Sequence, residues 1–285
     1  MTKNSSNRPN SGPRQGPKIA GAPYKERFSK RPSGSGGNGH RSTSGEGERL
    51  TDGTVWIYGT HAVLAAMANP KRKVLDLRAT RNAAQDLPAD VRVNLIEGEE
   101  LSAKLPAGAV HQGIAVRVTP LETLEIDQAI PDVSGIVLVL DQVTDPQNIG
   151  AVFRSAAAFG ARAIIQQDRK APPITGSLAK AAVGGIELVP DVRVVNISQT
   201  IKQLSDDGWL TVGLSGDADK DLADVLDGSP VVLVMGAEGK GLRHLVAERC
   251  DVLARIPIGA AMESLNVSAA SAIALYAAHA AQKTK

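Results

Sequence analysis

The chain has 285 residues, 42% hydrophobic and 3% aromatic, with a net charge of +2, which suits one large or two modest globular domains. A single cysteine, Cys250, excludes an internal disulfide and any zinc site built from several thiolates, and the five histidines form no HxH or HxxxH pair. The polar, basic N-terminus lacks the apolar stretch of a secretory signal, and no apolar run is long enough to cross a bilayer, so the expectation is a cytoplasmic protein with no structural metal and no membrane partner.

The charge is unevenly spread. Residues 1–49 hold ten Lys and Arg against three Glu, a charge of +7, which leaves −5 for the remainder. This stretch is crowded with Gly, Pro and Ser, as in "RPSGSGGNGHRSTSGEGE". It has too little apolar surface to offset the entropy of ordering, so residues 1–53 are expected to form a disordered basic tail. Such a tail suits a solubilising linker or a salt-sensitive arm for a polyanion such as RNA.

Order is expected from near Thr54. "VWIYGTHAVLAAMANP" reads as strand, turn at Gly59 and helix, with Thr60 as its cap. "VLDLRAT", "VRVNLIE" and "GIAVRV" are strand-like, and "GEELSAKLP" is a short helix ended by Pro106. These make a small α/β unit over 54–119. The acidic, proline-bounded stretch 120–135 reads as a linker. From Ile136 onward, continuous Val/Ile/Leu strands alternate with helices, the pattern of a parallel sheet covered on both faces. Ligands in such sheets bind beyond the C-terminal strand ends.

Three of those strand ends are unusual. In "LDQVTDPQNIGAVFR", Ile149, Val152, Phe153 and Ala156 form an apolar helix face, Asn148 is placed to cap it and Arg154 lies off the stripe. In "VVLVMGAEGKGL", Gly236, Gly239 and Gly241 follow a buried strand directly, which permits close backbone approach to a ligand. The spacing is not GxGxxG, and Glu238 would repel a pyrophosphate, so a dinucleotide site fits poorly. In "IPIGAAMESLNVSAAS", Ile256 and Ile258 finish a strand and a helix starts near Leu265. Ser264 is a possible cap there, which leaves Asn266 and Ser268 as polar groups surplus to capping.

Together, in this order, "NIGAVFR", "MGAEGKGL" and "IPIGAAMESLNVSAAS" resemble the three signature motifs of the SpoU (TrmH-type) branch of the SPOUT RNA 2′-O-ribose methyltransferases. The resemblance covers about residues 136–281. The upstream unit, with "YGTHAVLAAM" and "HQGIAVRV", resembles the substrate-binding domain of the subgroup that modifies a guanosine of 23S ribosomal RNA. The resemblance implies an α/β catalytic domain over 136–285 with a deep trefoil knot and S-adenosylmethionine as cofactor. It also implies a homodimer and methyl transfer to a ribose 2′-hydroxyl of 23S ribosomal RNA. By position it assigns cofactor contacts to Gly236, Ile256 and Leu265, the catalytic arginine to Arg154, and supporting polar roles to Asn148, Glu238, Ser264 and Asn266. A transfer-RNA methyltransferase of the same family and a non-catalytic RNA-binding or ribosome-assembly factor are the alternatives.

Overall fold

The computed structural model describes residues 52–284. The whole +7 stretch therefore lies outside the described residues.

The first unit contains β1 (Val55–Tyr58), α1 (Thr60–Ala68), β2 (Val74–Ala79), α2 (Arg81–Ala84), β3 (Asn94–Leu95), α3 (Gly98–Ser102) and β4 (Ile114–Val118). Its sheet runs β1-β4-β2-β3; β4 is antiparallel to both β1 and β2, and β3 is parallel to β2. All four residues of β1 are buried, because one face covers α1 and the other meets Leu101 and Leu105. Thr60 is the first residue of α1 and not its cap. Gly59, at φ +89°, holds the N-cap position without a side-chain bond.

Residues 120–135 carry a short helix, α4 (Ile126–Ala129), closed by a reciprocal capping box between Glu125 and Gln128. The larger unit follows with β5 (Ile136–Asp141), α5 (Pro146–Ala158), β6 (Ala161–Gln167), α6 (Gly176–Ala182), α7 (Gly185–Leu188) and β7 (Asp191–Val194). It continues through α8 (Ile197–Asp206), β8 (Leu210–Leu214), β9 (Lys220–Asp221), α9 (Leu222–Val225), β10 (Val231–Gly236), α10 (His244–Ala247), β11 (Val252–Arg255) and α11 (Val267–Lys283). The seven strands run β7-β6-β5-β10-β8-β11-β9, all parallel.

The apolar runs of β5 and β10 follow from their central place. Ile136, Leu138 and Leu140 face a core shared with α5, α6 and α11, while Val137 and Val139 face a second core with α8. The first core continues into the small unit, reaching Val55, Ile57 and Val63. The seam is close at the start of α6, where a Cβ on Gly176 would lie 2.3 Å from the Trp56 carbonyl oxygen. β11 stops at Arg255, so Ile256 and Ile258 lie in the loop that follows rather than in the strand. Only Ile256 keeps contact with the core, and Pro257 follows it with no N–H to extend the ladder.

Candidate active site

β5 and β10 are neighbours, and Asp141 pairs with Gly236 at their ends. The two loops that follow therefore leave the sheet at the same level. They do so where the chain order reverses, since β6 and β7 extend one way from β5 and β10 leads the other way.

The first loop enters α5 through Asp145, whose carboxylate accepts from Gln147 N at 3.1 Å, with Pro146 at the first helical position. Asp145 is the cap, and Asn148 is displaced into the first turn. That placement frees the Asn148 amide to donate to Glu238 Oε1 at 3.1 Å. The same oxygen accepts from Asn266 Nδ2 at 2.5 Å and from Val267 N at 3.3 Å. Asn266 Nδ2 also donates to Asn148 Oδ1 at 2.9 Å. All three motif loops thus meet in one hydrogen-bonded cluster.

Asn266, and not Ser264, caps α11. Its Oδ1 accepts from Ser268 N at 2.9 Å and Ala269 N at 3.3 Å, and α11 begins at Val267. The amide oxygen serves the helix while the amide nitrogen serves the cluster. Glu238 lies at the positive end of α11, where a carboxylate is favoured. Its second oxygen, Oε2, has no partner among the described residues. Ser264 is exposed and makes no hydrogen bond among the described residues, so the structure does not join it to the cluster. Leu265 and Ile256 are half-buried at the two ends of this loop. Within 257–265 the backbone makes one hydrogen bond among the described residues, Met262 N to Gly259 O at 3.2 Å. Unengaged donors and acceptors therefore line a strand's C-terminal edge, as suits a polar heterocycle flanked by apolar walls.

Gly236 has a role the sequence did not reveal. A Cβ there would lie 2.2 Å from Gly241 C and 2.4 Å from Leu242 N. The glycine admits the loop's own returning backbone. Beyond that return, Arg243 grips fully buried Asp141: its N donates to Oδ2 at 3.1 Å and its Nε to Oδ1 at 2.8 Å. Neither residue was singled out from the sequence. The available signal was a lone carboxylate ending the apolar run "IVLVLD".

Arg154 stands apart from the cluster. It is exposed, off the buried stripe of Ile149, Val152, Phe153 and Ala156, and has no partner among the described residues. It lies six residues beyond Asn148, a rise of about 9 Å along α5, and faces a cleft between the two units. Burial first, then the Asp251 and Asp141 charges, push the Cys250 thiol up to about 12. Among the described residues no group of three or more His, Cys, Asp or Glu side chains forms a metal site, and no helix is long and apolar enough to cross a membrane.

The family model described as SpoU rRNA Methylase matches residues 135–276, and the model for RNA 2′-O ribose methyltransferase substrate binding matches 56–124. A relative from Pseudomonas aeruginosa, 23S rRNA (guanosine-2′-O-)-methyltransferase RlmB, is 38% identical over 77% of this chain and 94% of its own. The chain belongs to the SpoU rRNA methylase family. The SpoU relative of the same name from Vibrio vulnificus is 36% identical over 78% of this chain and 95% of its own. Among solved SpoU folds, AviRb from Streptomyces viridochromogenes in complex with AdoMet covers 82% of this chain and 92% of its own at 23% identity, TM-score 0.69. The AdoMet-bound rRNA methyltransferase from Sinorhizobium meliloti covers 80% and 88% at 25% identity, TM-score 0.67.

Proposed function

We propose that this SpoU protein methylates the ribose 2′-hydroxyl of a guanosine in 23S ribosomal RNA, drawing on S-adenosylmethionine and acting as a cytoplasmic homodimer. The observation that carries the reading is the meeting of three strand-end loops in the Asn148–Glu238–Asn266 cluster. Support for a ribosomal substrate comes from the RlmB relatives and from the substrate-binding match over 56–124. The division into a tail (1–53), RNA-binding unit (54–119), linker (120–135) and catalytic domain (136–285) belongs to this reading. So does the trefoil knot, which concerns threading rather than strand order.

Gly236, Ile256 and Leu265 would hold the cofactor, with the open backbone of 257–265 reading its polar edges and the two apolar side chains flanking it. When bound, the cofactor supplies a methyl group activated on a sulfonium sulfur. The protein must then orient a weak nucleophile and manage its proton. Asn148 and Asn266 hold Glu238 by one oxygen, which leaves Oε2 as a fixed acceptor for a ribose hydroxyl. Ser264, exposed on the loop that leads into α11, would offer a hydroxyl to the incoming nucleotide. Arg154 faces the cleft, so its part is to anchor phosphate and stabilise developing negative charge.

Quantitative mapping of 2′-O-methyl groups in cells with and without the gene tests the reading. Loss at one 23S guanosine is expected. Loss confined to transfer RNA would move the substrate, and no loss in any RNA would leave a binding factor.

A further inference from the structure

The cleft that Arg154 faces encloses about 500 Å³. One wall is Tyr58 and the 106–110 loop of the small unit; the other is α5 and α6, with Gln147, Arg154, Ser177 and Lys180. No carboxylate lines it among the described residues. Two cations do, and neither Arg154 nor Lys180 has an ion-pair or side-chain hydrogen-bond partner among the described residues. Unpaired cations side by side on one wall of a cleft repel, and an anion bound between them removes that repulsion.

Lys180 lies outside all three motifs, yet its stem is held in place. It runs over Gly59, where a Cβ would sit 3.4 Å from Lys180 Cγ and 3.7 Å from Cε. A small-unit glycine thus seats the aliphatic part of a large-unit lysine and leaves the ammonium to the cleft. Just beyond Lys180, Val183 ends α6 at φ +51°, a strained conformation for a β-branched residue. Such strain is characteristic of functional sites, and Val183 also lines the cleft.

We propose that Lys180, with Arg154, binds the phosphodiester backbone of the RNA strand as it passes between the two units, and that Lys180 positions substrate without touching the reacting atoms. The proposal rests on the methyltransferase reading above and extends it to a residue outside the family motifs.

The test uses the full chain and a transcribed fragment of 23S ribosomal RNA. Lys180→Met keeps the stem over Gly59 and removes the charge; Lys180→Glu reverses it. For Lys180→Met, RNA affinity is expected to fall several-fold to about tenfold at physiological salt, and the log–log salt slope to become shallower by about 0.7. Lys180→Glu is expected to weaken binding further. S-adenosylmethionine affinity by calorimetry should match the parent, and single-turnover transfer at saturating RNA should stay within about twofold while KM rises. Parental RNA affinity and salt slope in both variants would overturn the assignment, as would a fall in the saturated rate with unchanged KM. A parent protein that transfers no methyl group to any RNA would defeat the functional reading itself. An active parent with indifferent Lys180 variants would defeat only this proposal.

Discussion

Asn266 splits its amide between two elements: Oδ1 caps α11 and Nδ2 holds Glu238. In the sequence it is one surplus polar residue near a helix start. The surplus was legible and pointed to a site. Which of Ser264 and Asn266 did the capping was not, because both types favour that position and the choice depends on where the loop ends. Asn148 carries the same lesson in reverse: Asp145 and Pro146 upstream supply a better start, so Asn148 is free to reach across to the second loop. In the proposed reading, Arg154 is the residue on which the chemistry bears most. Arg154→Ala should fold normally and bind S-adenosylmethionine as the parent does, with single-turnover methyl transfer reduced at least a hundredfold, about 3–4 kcal/mol of lost charge stabilisation. Arg154→Lys should recover little, lacking the planar donor fork. Near-parental rates for Arg154→Ala would shift the role to Glu238.

The loop between β10 and α10 is the element that joins fold to site. Two features hold it: the return of Gly241 and Leu242 against Gly236, and the Arg243 fork on Asp141. A valine at residue 236 would disrupt the loop's own packing before it touched any ligand. Arg243→Ala asks a cleaner question. It removes the guanidinium and leaves the fully buried Asp141 carboxylate with the backbone N–H of residue 243, at a cost of about 1–3 kcal/mol. Thermal unfolding should drop accordingly, and S-adenosylmethionine affinity should fall with the loop's order. Unchanged stability would mean that the Asp141–Arg243 pair does not hold the loop. The strands themselves were legible, since β5 and β10 are apolar on both faces and read as continuous runs. The helices of "KDLADVLDG" and "GLRHLVAERC" were legible as well, although α9 and α10 are shorter than those stretches. α7 was not: it spans four residues and opens on the glycine pair 184–185, too few to show a helical period.

Across the molecule, the two units share a core and a buried ion pair. Arg72 donates to Glu187 through Nε at 3.1 Å and Nη2 at 2.6 Å, and to the Thr119 carbonyl oxygen at 2.9 Å; Asn69 Nδ2 adds 2.8 Å to the same carboxylate. Both charged side chains are 2% exposed. In the sequence Arg72 is one of several basic residues near a strand entrance, and nothing local marks it as the partner of a carboxylate 115 positions away. Arg72→Ala should leave Glu187 buried and unpaired, at about 3–5 kcal/mol. Hydrogen exchange should then rise along β1 and α1 before the large sheet opens. Exchange rising uniformly over both units would show that they unfold as one.

The central claim is that this chain places one methyl group on the ribose of a 23S guanosine. Single-turnover transfer of labelled methyl from S-adenosylmethionine to a 23S transcript, followed by digestion to nucleosides, tests it most directly. The account predicts 2′-O-methylguanosine at one position, approaching one methyl per transcript. Label on a base, or no transfer by folded protein that binds the cofactor, would contradict it.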